Sequence, residues 1–352
     1  MPDPGFPVAN CSGLRPNDLP YAHGGPIGTG HLKSVCEDFV VDESLGFDCS
    51  GQGEHLFLRI EKRGLNTEDV ARRLARFGRV KSRDVGFAGM KDRHAVARQW
   101  LSVRLPQVAD KHWTDWHEEG LEVLEVRRHS RKLKRGSLAS NGFRIRIRNV
   151  DAPSLKLEHL LDKISRQGIP NYYGPQRFGW GGGNIDEAGR FFSGSHSVKG
   201  RYKKGLLLST ARSVLFNILL SRRIEDGNWN QAIAGDALMF EGSNSYFRTT
   251  VVGPNDSYRV AEGELHPTGV LWGTGSNEVS ARALEYEERL CVDYPLFCRG
   301  LEEHCVVAAR RSFRLFPQKL QWHIEPENVL VLEFSLPAGG YATSVIREIL
   351  NV

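Results

Sequence analysis

The residues best suited to chemistry lie in one short string, GFAGMKDRHAVARQ, which runs from Gly86 to Gln99. It contains a lysine–aspartate pair, Lys91–Asp92, directly after an Ala-Gly turn. A carboxylate can act as a nucleophile that adds to a substrate and leaves again, or as a base that removes a proton. In a partly buried cleft it stays ionised only when a nearby cation or several hydrogen-bond donors offset desolvation. The same pair is also typical of a solvated turn, so this string alone leaves both interpretations open.

Two short apolar runs flank the lysine–aspartate pair. Val85 to Ala88 leads into the string, and Gln99 to Val103 leads out of it. Short apolar runs on either side of a glycine-containing break predict a strand, a loop and a second strand. Such strands would fix the loop and let the Asp92 carboxylate project into a cleft.

The rest of the chain mixes strand and helix patterns without a regular βαβ cadence. The alternation of Phe143 to Arg148 predicts a strand with an apolar face and an arginine face. Thr67, followed by acidic residues, is the predicted cap of a helix that ends at Gly78. The mixture predicts the α+β class with largely antiparallel pairing. Strands are predicted at 55–60, 143–148, 237–240, 246–250 and 329–336, and helices at 67–78, 157–167, 207–225 and 343–350.

Composition sets wide limits on function. The 352 residues are enough for two domains with their own cores, and a formal net charge of +5 suits a nucleic-acid partner without requiring one. The N-terminal residues, MPDPGFPVAN, lack the basic and apolar regions of a signal peptide, and residues 1 to about 25 are expected to form a loop or arm. No apolar stretch approaches the ~20 residues that span a bilayer, so we expect a soluble protein.

The cysteines suggest neither a disulfide framework nor a metal site. No CxxC pair occurs, and the last three cysteines recur every seven residues. On one continuous helix these three would share a face, but ligands two turns apart are too distant to hold one ion, even with His304 nearby. Small buried side chains in a reduced, cytosolic protein are therefore expected. The six are Cys11, Cys36, Cys49, Cys291, Cys298 and Cys305.

Two basic clusters could contact a phosphate backbone, although a charge run is often only a solvated face. The first leads toward Asn141 and comprises Arg127, Arg128, Arg131, Lys132, Lys134 and Arg135. The second surrounds Tyr202, which could stack on a base, and comprises Lys199, Arg201, Lys203 and Lys204. The glycine-rich string from Gly179 to Asn184 lacks the lysine of a P-loop and the spacing of a dinucleotide turn, so we interpret it as a flexible loop that opens a helix.

The string around Asp92 closely resembles the catalytic motif of the TruD family of tRNA pseudouridine synthases. Further blocks resemble that family in its order, from about residue 25 to the end of the chain. NYYGPQRFG and KDRHAV are long enough to be highly specific. The other blocks are EDFVVDE (37–43), GEHL (53–56), NT (66–67), NGF (141–143), NYYGPQRFG (171–179) and PAGGYATSVIRE (337–348).

The resemblance implies a fold and an activity. The fold is a pseudouridine synthase catalytic domain with a mixed, largely antiparallel sheet, formed by residues 1–166 and 317–352. An α+β TRUD domain is inserted at 167–316. The implied activity is isomerisation of uridine to pseudouridine in tRNA, at position 13 of the D-arm, by base flipping and an aspartate nucleophile. The implied partner is tRNA. No cofactor, metal, membrane or protein partner is implied, and the expected location is the cytoplasm.

The resemblance also implies catalytic roles. The aspartate of the motif is the family's nucleophile, which points to Asp92. The family places a basic residue beside it, from the block that begins near Lys33, so Lys33 is the expected supporting cation. Lys91 is less suited to that role because neighbouring side chains on an extended chain point apart. An exposed surface lysine is the alternative for Lys33.

A flipped-out uracil needs flat surfaces that replace its lost stacking, each worth ~1–3 kcal/mol. Phe39, Phe143 and Tyr341 are the expected surfaces, although core packing would also explain the two phenylalanines. Tyr341 stands where related proteins often have phenylalanine, which keeps the ring and adds a hydroxyl. Asn141 is expected to pair with the uracil edge, because an amide offers both donor and acceptor; a turn residue is the alternative. The first basic cluster is the expected contact for the RNA backbone.

A rival interpretation is a non-catalytic tRNA-binding or RNA-folding protein whose catalytic loop is vestigial. The intact Lys91–Asp92 pair, with Phe39, Asn141 and Tyr341, favours the enzyme, since a degenerate protein would be expected to have lost some of these. The sequence leaves open which tRNAs are used, how strict their sequence context is, the oligomeric state, and whether Asp92 acts at the base or at the sugar.

Overall fold

The computed structural model describes residues 19–105, 113–275 and 278–352. Most of the expected N-terminal arm, and Cys11, lie outside the described residues. In chain order, the strands are β1 (Thr29–Leu32), β2 (Phe39–Leu45), β3 (His55–Arg63), β4 (Val85–Phe87), β5 (Val96–Arg104), β6 (His117–Glu118), β7 (Leu121–His129), β8 (Leu138–Asp151), β9 (Ile169–Pro170), β10 (Ala237–Phe240), β11 (Tyr246–Arg248), β12 (Leu265–Leu271), β13 (Ala309–Ser312), β14 (Arg314–Leu315), β15 (Gln318–Glu325) and β16 (Val329–Pro337). The α-helices are α1 (Thr67–Gly78), α2 (Ser154–Gln167), α3 (Gly183–Phe192), α4 (Arg201–Glu225), α5 (Pro254–Ala261), α6 (Ala281–Asp293), α7 (Pro295–Glu303) and α8 (Ala342–Ile349).

The described residues form two compact units. The sheet unit comprises Ile27–Leu157, Pro317–Ala342 and Leu350–Val352, apart from the gap given above. The helical unit comprises residues 19–26, Glu158–Phe316 apart from residues 276–277, and Thr343–Ile349. The domain boundaries expected at 166/167 and 316/317 stay a prediction.

The sheet unit is built on one ten-stranded sheet. Its strand order is β15-β16-β8-β2-β5-β3-β7-β6, with β1 added on β8 and β4 on β5. The β2–β5 pair is parallel, and the other pairs are antiparallel. The predicted α+β class with a mixed, largely antiparallel sheet is therefore confirmed.

Strand β8 shows why the alternating pattern predicts a strand. Ile145 and Ile147 are fully buried on one face of the sheet. On the other face, Arg144 pairs with Glu333 and Arg146 with Glu325, while Arg148 pairs with Asp38. The arginine face is thus neutralised by carboxylates from neighbouring elements.

Helix α1 packs its apolar residues into the core beside the sheet. Val70 and Leu74 are fully buried in a cluster that includes Leu58 and Leu101. The predicted cap was wrong: Asn66 is the N-cap residue, and Thr67 lies inside the helix. The Thr67 hydroxyl is instead used by the loop that carries Asp92.

The helical unit contains a four-stranded antiparallel sheet, β11-β10-β12-β13, whose strand β12 packs on α4, and a two-stranded β14-β9 pair. The predicted hairpin formed by β10 and β11 is confirmed. Asn217, which interrupts the apolar run of α4, is buried and bonds both the amide and the carbonyl of Tyr173. The predicted start of α4 was too late, because its first turns are exposed and carry no apolar period that would reveal them.

The three cysteines that recur every seven residues do not lie on one helix. Tyr294 separates α6 from α7, and Pro295 is the first residue of α7, because proline lacks the amide hydrogen that a continuation of α6 would require. Cys298 is buried in α7, whereas Cys305 lies beyond the helix and is exposed, against the expected burial. The five described cysteines are free thiols.

None of the helices in the described ranges is long and apolar enough to cross a membrane.

Candidate active site

Asp92 lies on the loop that joins β4 to β5, as the flanking apolar runs predict. Lys33 follows β1 directly and has a left-handed backbone, with φ of 59°. Its Nζ lies 2.6 Å from Asp92 Oδ2, and the two side chains are 25% and 44% exposed. The structure therefore brings together the expected nucleophile and its supporting cation, in a position that solvent reaches.

Aromatic rings lie beside this ion pair. The Lys33 ammonium is 4.2 Å from the centroid of the Phe39 ring, which is only 3% exposed. Phe39 meets Phe143 edge-on at 6.1 Å, and Phe143 packs on Phe334 at 5.4 Å. Phe143 is half-buried, so it retains more accessible surface than Phe39.

Lys91 turns away from Asp92 and forms a second charged group. Its Nζ is 2.5 Å from Glu43 Oε2, and these two side chains are 6% and 1% exposed. Lys91 also donates to Asn141 Oδ1 at 2.7 Å. A lysine ammonium has three donors and no acceptor, so the amide oxygen of Asn141 must face it.

The hydrogen bond from Lys91 fixes the orientation of the Asn141 amide. Its oxygen faces the Lys91 ammonium, so its NH₂ group points the other way. Strand pairing of β8 places Asn141 opposite Glu43 on one side and Leu336 on the other. Asn141 is therefore a strand residue rather than a turn residue.

Lys62 is a part of this site that the sequence analysis missed. Its ammonium donates to the carbonyl oxygens of Asp92 and Leu65, both at 2.7 Å. The residue is fully buried, and this burial lowers the pKa of Lys62 to about 8. The signal was present in β3, where Lys62 continues the apolar face of Leu58 and Ile60.

The loop is also tied to α1 and β5. Thr67 Oγ1 accepts from the amide of Lys91 at 2.9 Å and donates to Gln99 Oε1 at 2.9 Å. Gln99 is fully buried. Arg93, just after Asp92, donates to the carbonyl of Gly64 at 3.1 Å. These bonds fix the backbone on both sides of Asp92, which is the preorganisation that a reacting group needs.

Tyr341 lies on the segment between β16 and α8 and is half-buried. The last residue of β16, Pro337, pairs with Ser140, the neighbour of Asn141. Tyr341 is four residues after Pro337, so the chain brings it near the end of the site at which Asn141 lies.

The first basic cluster divides into two groups. Arg128 donates to the carbonyl of Leu105 at 2.7 Å, and Lys132 to that of Arg83 at 2.6 Å. Arg127 pairs with Glu125, and the Arg135 guanidinium lies 4.4 Å from the centroid of the Phe87 ring. The exposed side chains of the cluster are Arg127, Arg131, Lys134 and Arg135.

Within the described ranges, no group of three or more His, Cys, Asp or Glu residues is placed to hold a metal ion.

Comparison with known proteins gives a consistent result. The family model described as tRNA pseudouridine synthase D (TruD) matches residues 19–193 and 192–349. A Methylococcus capsulatus protein named tRNA pseudouridine synthase D is 46% identical over 342 residues, which cover 97% of this chain and 96% of that protein. A protein of the same name from Pseudomonas aeruginosa is 45% identical over 333 residues, covering 95% and 94%.

Among solved structures, a Methanosarcina mazei protein solved as a candidate tRNA pseudouridine synthase D (TruD) matches with a TM-score of 0.70 and 22% identity. The match covers 95% of this chain and 96% of that one, and it shows that the two share a fold. The family match extends over nearly all of the described chain, and the relatives are similar along almost their whole length. The chain therefore belongs to the tRNA pseudouridine synthase D family, a family of pseudouridine synthases.

Proposed function

We propose that this protein converts uridine to pseudouridine in tRNA, at position 13 of the D-arm, in the cytoplasm. The ion pair between Lys33 and Asp92 carries the proposal, because it pairs the carboxylate of the family's sequence motif with a lysine 2.6 Å away. The names of the relatives support tRNA as the substrate.

The proposed nucleophile is Asp92. The reaction breaks the bond between uracil N1 and the ribose and joins C5 of the turned base to the same sugar carbon, with no redox change. A carboxylate can add to the base, or attack or deprotonate the sugar, and then leave. All these routes require an ionised Asp92, and the Lys33 ammonium offers that carboxylate a counter-charge at 2.6 Å.

Recognition of uracil follows from the orientation of Asn141. Its free NH₂ group can donate to a carbonyl oxygen of the flipped base, whereas its oxygen is held by Lys91. Uracil carries carbonyl oxygens at positions 2 and 4, while cytosine carries an amino group at position 4. A donor fixed toward position 4 would therefore accept uracil and reject cytosine.

The stacking surfaces in this proposal are Phe143 and Tyr341, which are both half-buried. Phe39 is covered, and the Lys33 ammonium lies over its ring. Phe39 would contact the base only after Lys33 moves, and otherwise supports Phe143 from the side.

We also propose that the exposed members of the first basic cluster contact phosphates. Arg128 and Lys132 are less available for this role, because each donates to a backbone carbonyl of the protein. The discontinuous catalytic domain at 1–166 and 317–352, with an insertion at 167–316, is part of the same proposal.

Mapping of pseudouridine on total tRNA, from cells with and without the protein, tests this function. We expect pseudouridine at position 13 of a subset of tRNAs to depend on the protein. A different dependent position would overturn the assignment of the site. Unchanged modification, with tRNA binding retained, would favour the rival interpretation of a non-catalytic RNA-binding protein.

A further inference from the structure

The helical unit carries a surface of exposed aromatic and basic side chains. Trp180 is 101% exposed and Tyr202 is 75% exposed. We call this the aromatic–basic surface; its charged members, all exposed, are Lys199, Arg201, Lys203 and Lys204. A tryptophan is usually well buried, because leaving its large apolar ring in water is unfavourable. A fully exposed indole, on a unit that also exposes a second aromatic ring flanked by cations, therefore indicates a ligand that offers both flat rings and negative charge.

Trp180 is held by a hydrogen-bonded turn. Gly179, Gly181 and Gly182 have φ between 59° and 82°, the left-handed region that glycine adopts without strain. The Gly182 amide bonds the Gly179 carbonyl at 3.1 Å. Phe178, two residues before Trp180, is only 1% exposed and anchors the turn. The sequence predicts a flexible loop for Gly179 to Asn184, but the turn that carries Trp180 is hydrogen-bonded and anchored by Phe178.

The two aromatic residues lie on neighbouring parts of the unit. Arg177, three residues before Trp180, donates to Ser209 of α4 at 3.0 Å. Tyr202 lies seven residues before Ser209 on the same helix, a distance of about 10 Å at ~1.5 Å per residue.

The charges near Tyr202 favour a polyanion. On helix α3, Glu187 pairs with Lys203 at 2.5 Å and so neutralises one cation. The other three basic residues of the surface face solvent. Alternation of aromatic rings and cations is the pattern that binds single-stranded nucleic acid, where bases stack and phosphates pair.

We infer that the aromatic–basic surface binds unpaired nucleotides of the tRNA substrate. Bases stack on Trp180 and Tyr202, and phosphates pair with the cations near Tyr202, which are Lys199, Arg201 and Lys204. This inference rests on the proposed function, since it takes tRNA to be the substrate. It adds a binding surface that the residues around Asp92 do not supply.

The test compares Trp180→Ala, Tyr202→Ala and the double variant with wild type. Tyr258→Ala is the matched control, because Tyr258 is 63% exposed on α5 of the same unit. Dissociation constants are measured by filter binding with an unmodified tRNA transcript, and turnover is measured at saturating tRNA. Each variant should bind about tenfold more weakly, the double variant more weakly still, and the control within about twofold of wild type. Trp180→Phe should retain most of the affinity, and saturated turnover should be unchanged.

Unchanged tRNA affinity in both single variants, with normal thermal melting, would overturn the inference; this is also the outcome if the surface serves an acidic protein instead. Failure of the proposed function gives a different result. In that case the wild-type protein forms no pseudouridine, while the loss of RNA binding in the variants persists.

Discussion

At the scale of single residues, Lys33 and Lys91 have different partners and therefore different roles. Lys33 is bonded to the Asp92 carboxylate, whereas Lys91, the direct neighbour of Asp92, faces Glu43 and Asn141. The buried Lys91–Glu43 pair carries no net charge of its own, which avoids the high cost of burying either charge unpaired. Because the Lys91 ammonium donates to Asn141 Oδ1, the Asn141 amide has a single orientation.

Asn141→Asp tests that orientation. Aspartate can still accept from Lys91, but it offers the substrate an acceptor where asparagine offers a donor. We expect kcat/KM for tRNA to fall about tenfold to a hundredfold, the effect of losing one donor to a buried carbonyl. Asn244→Asp, at an exposed position in the turn between β10 and β11, should change nothing. Normal kcat/KM in Asn141→Asp would remove this residue from uracil recognition.

At the scale of elements, the loop between β4 and β5 is held by side chains of β3, α1 and β5. Lys62 bonds the carbonyl of Asp92, and Thr67 bonds the amide of Lys91. These bonds hold the backbone of the loop, whereas the Asp92 carboxylate is bonded to Lys33. The loop backbone is therefore fixed by groups that take no part in the proposed chemistry.

Lys62 predicts a specific pH dependence of stability. Burial lowers its pKa from 10.5 to about 8 in the folded protein, so the unfolded chain binds more protons between these values. The contribution of Lys62 to the free energy of unfolding should therefore rise with pH from about 8 to about 10.5, by up to about 3 kcal/mol. Urea unfolding near pH 7 and near pH 10 should show this rise in wild type and in an exposed control, Lys81→Met.

Lys62→Met should lack that rise. It should also lose turnover, because the carbonyls of Asp92 and Leu65 lose their donor. If Lys62→Met and wild type show the same change in unfolding free energy with pH, the lowered pKa is not a property of this lysine.

Tyr341 tests the segment between β16 and α8. Tyr341→Phe should be nearly silent, since the ring and not the hydroxyl is proposed to stack on the base. Tyr341→Ala should weaken positioning of the flipped base by about 1–3 kcal/mol. Thermal melts beside the kinetics separate an effect on folding from one on the site. Normal melting with normal turnover in Tyr341→Ala would exclude the residue from the pocket.

Local patterns predicted those elements whose signal lies within one segment. The alternation in β8 and the hairpin of β10 and β11 are properties of a few consecutive residues. The partners of Lys91 could not be predicted in this way, since Asn141 is 50 residues away and meets it only through strand pairing. The seven-residue cysteine spacing misled for a related reason: it assumed a continuous helix, which Pro295 breaks.

At the scale of the whole molecule, a net charge of +5 is modest, so the placement of cations matters more than their number. Several arginines on the face of the sheet opposite the buried residues of β8 are paired with carboxylates. Cations that are exposed and not tied to the fold are the ones that can release counterions from RNA. In the first basic cluster, Arg131 and Lys134 best meet this description.

Charge reversal at Arg131 and Lys134 should weaken binding to all tRNAs alike. Each lost phosphate contact should reduce the slope of log affinity against log salt concentration by about one. Lys156→Glu, an exposed position on α2, serves as the control for the change in net charge. Unchanged affinity and slope would identify the cluster as a solvated face.

Turnover by Asp92→Asn is the most direct test of the central claim. The amide is nearly the same size as the carboxylate but lacks its nucleophilic charge, and the proposed phosphate contacts lie elsewhere. With a purified protein and an unmodified tRNA transcript, we expect Asp92→Asn to form no pseudouridine and to bind tRNA within about twofold of wild type. Asp48→Asn, at an exposed position in the same unit, should retain full activity. Substantial pseudouridine formation by Asp92→Asn would contradict the assignment of Asp92 as the nucleophile.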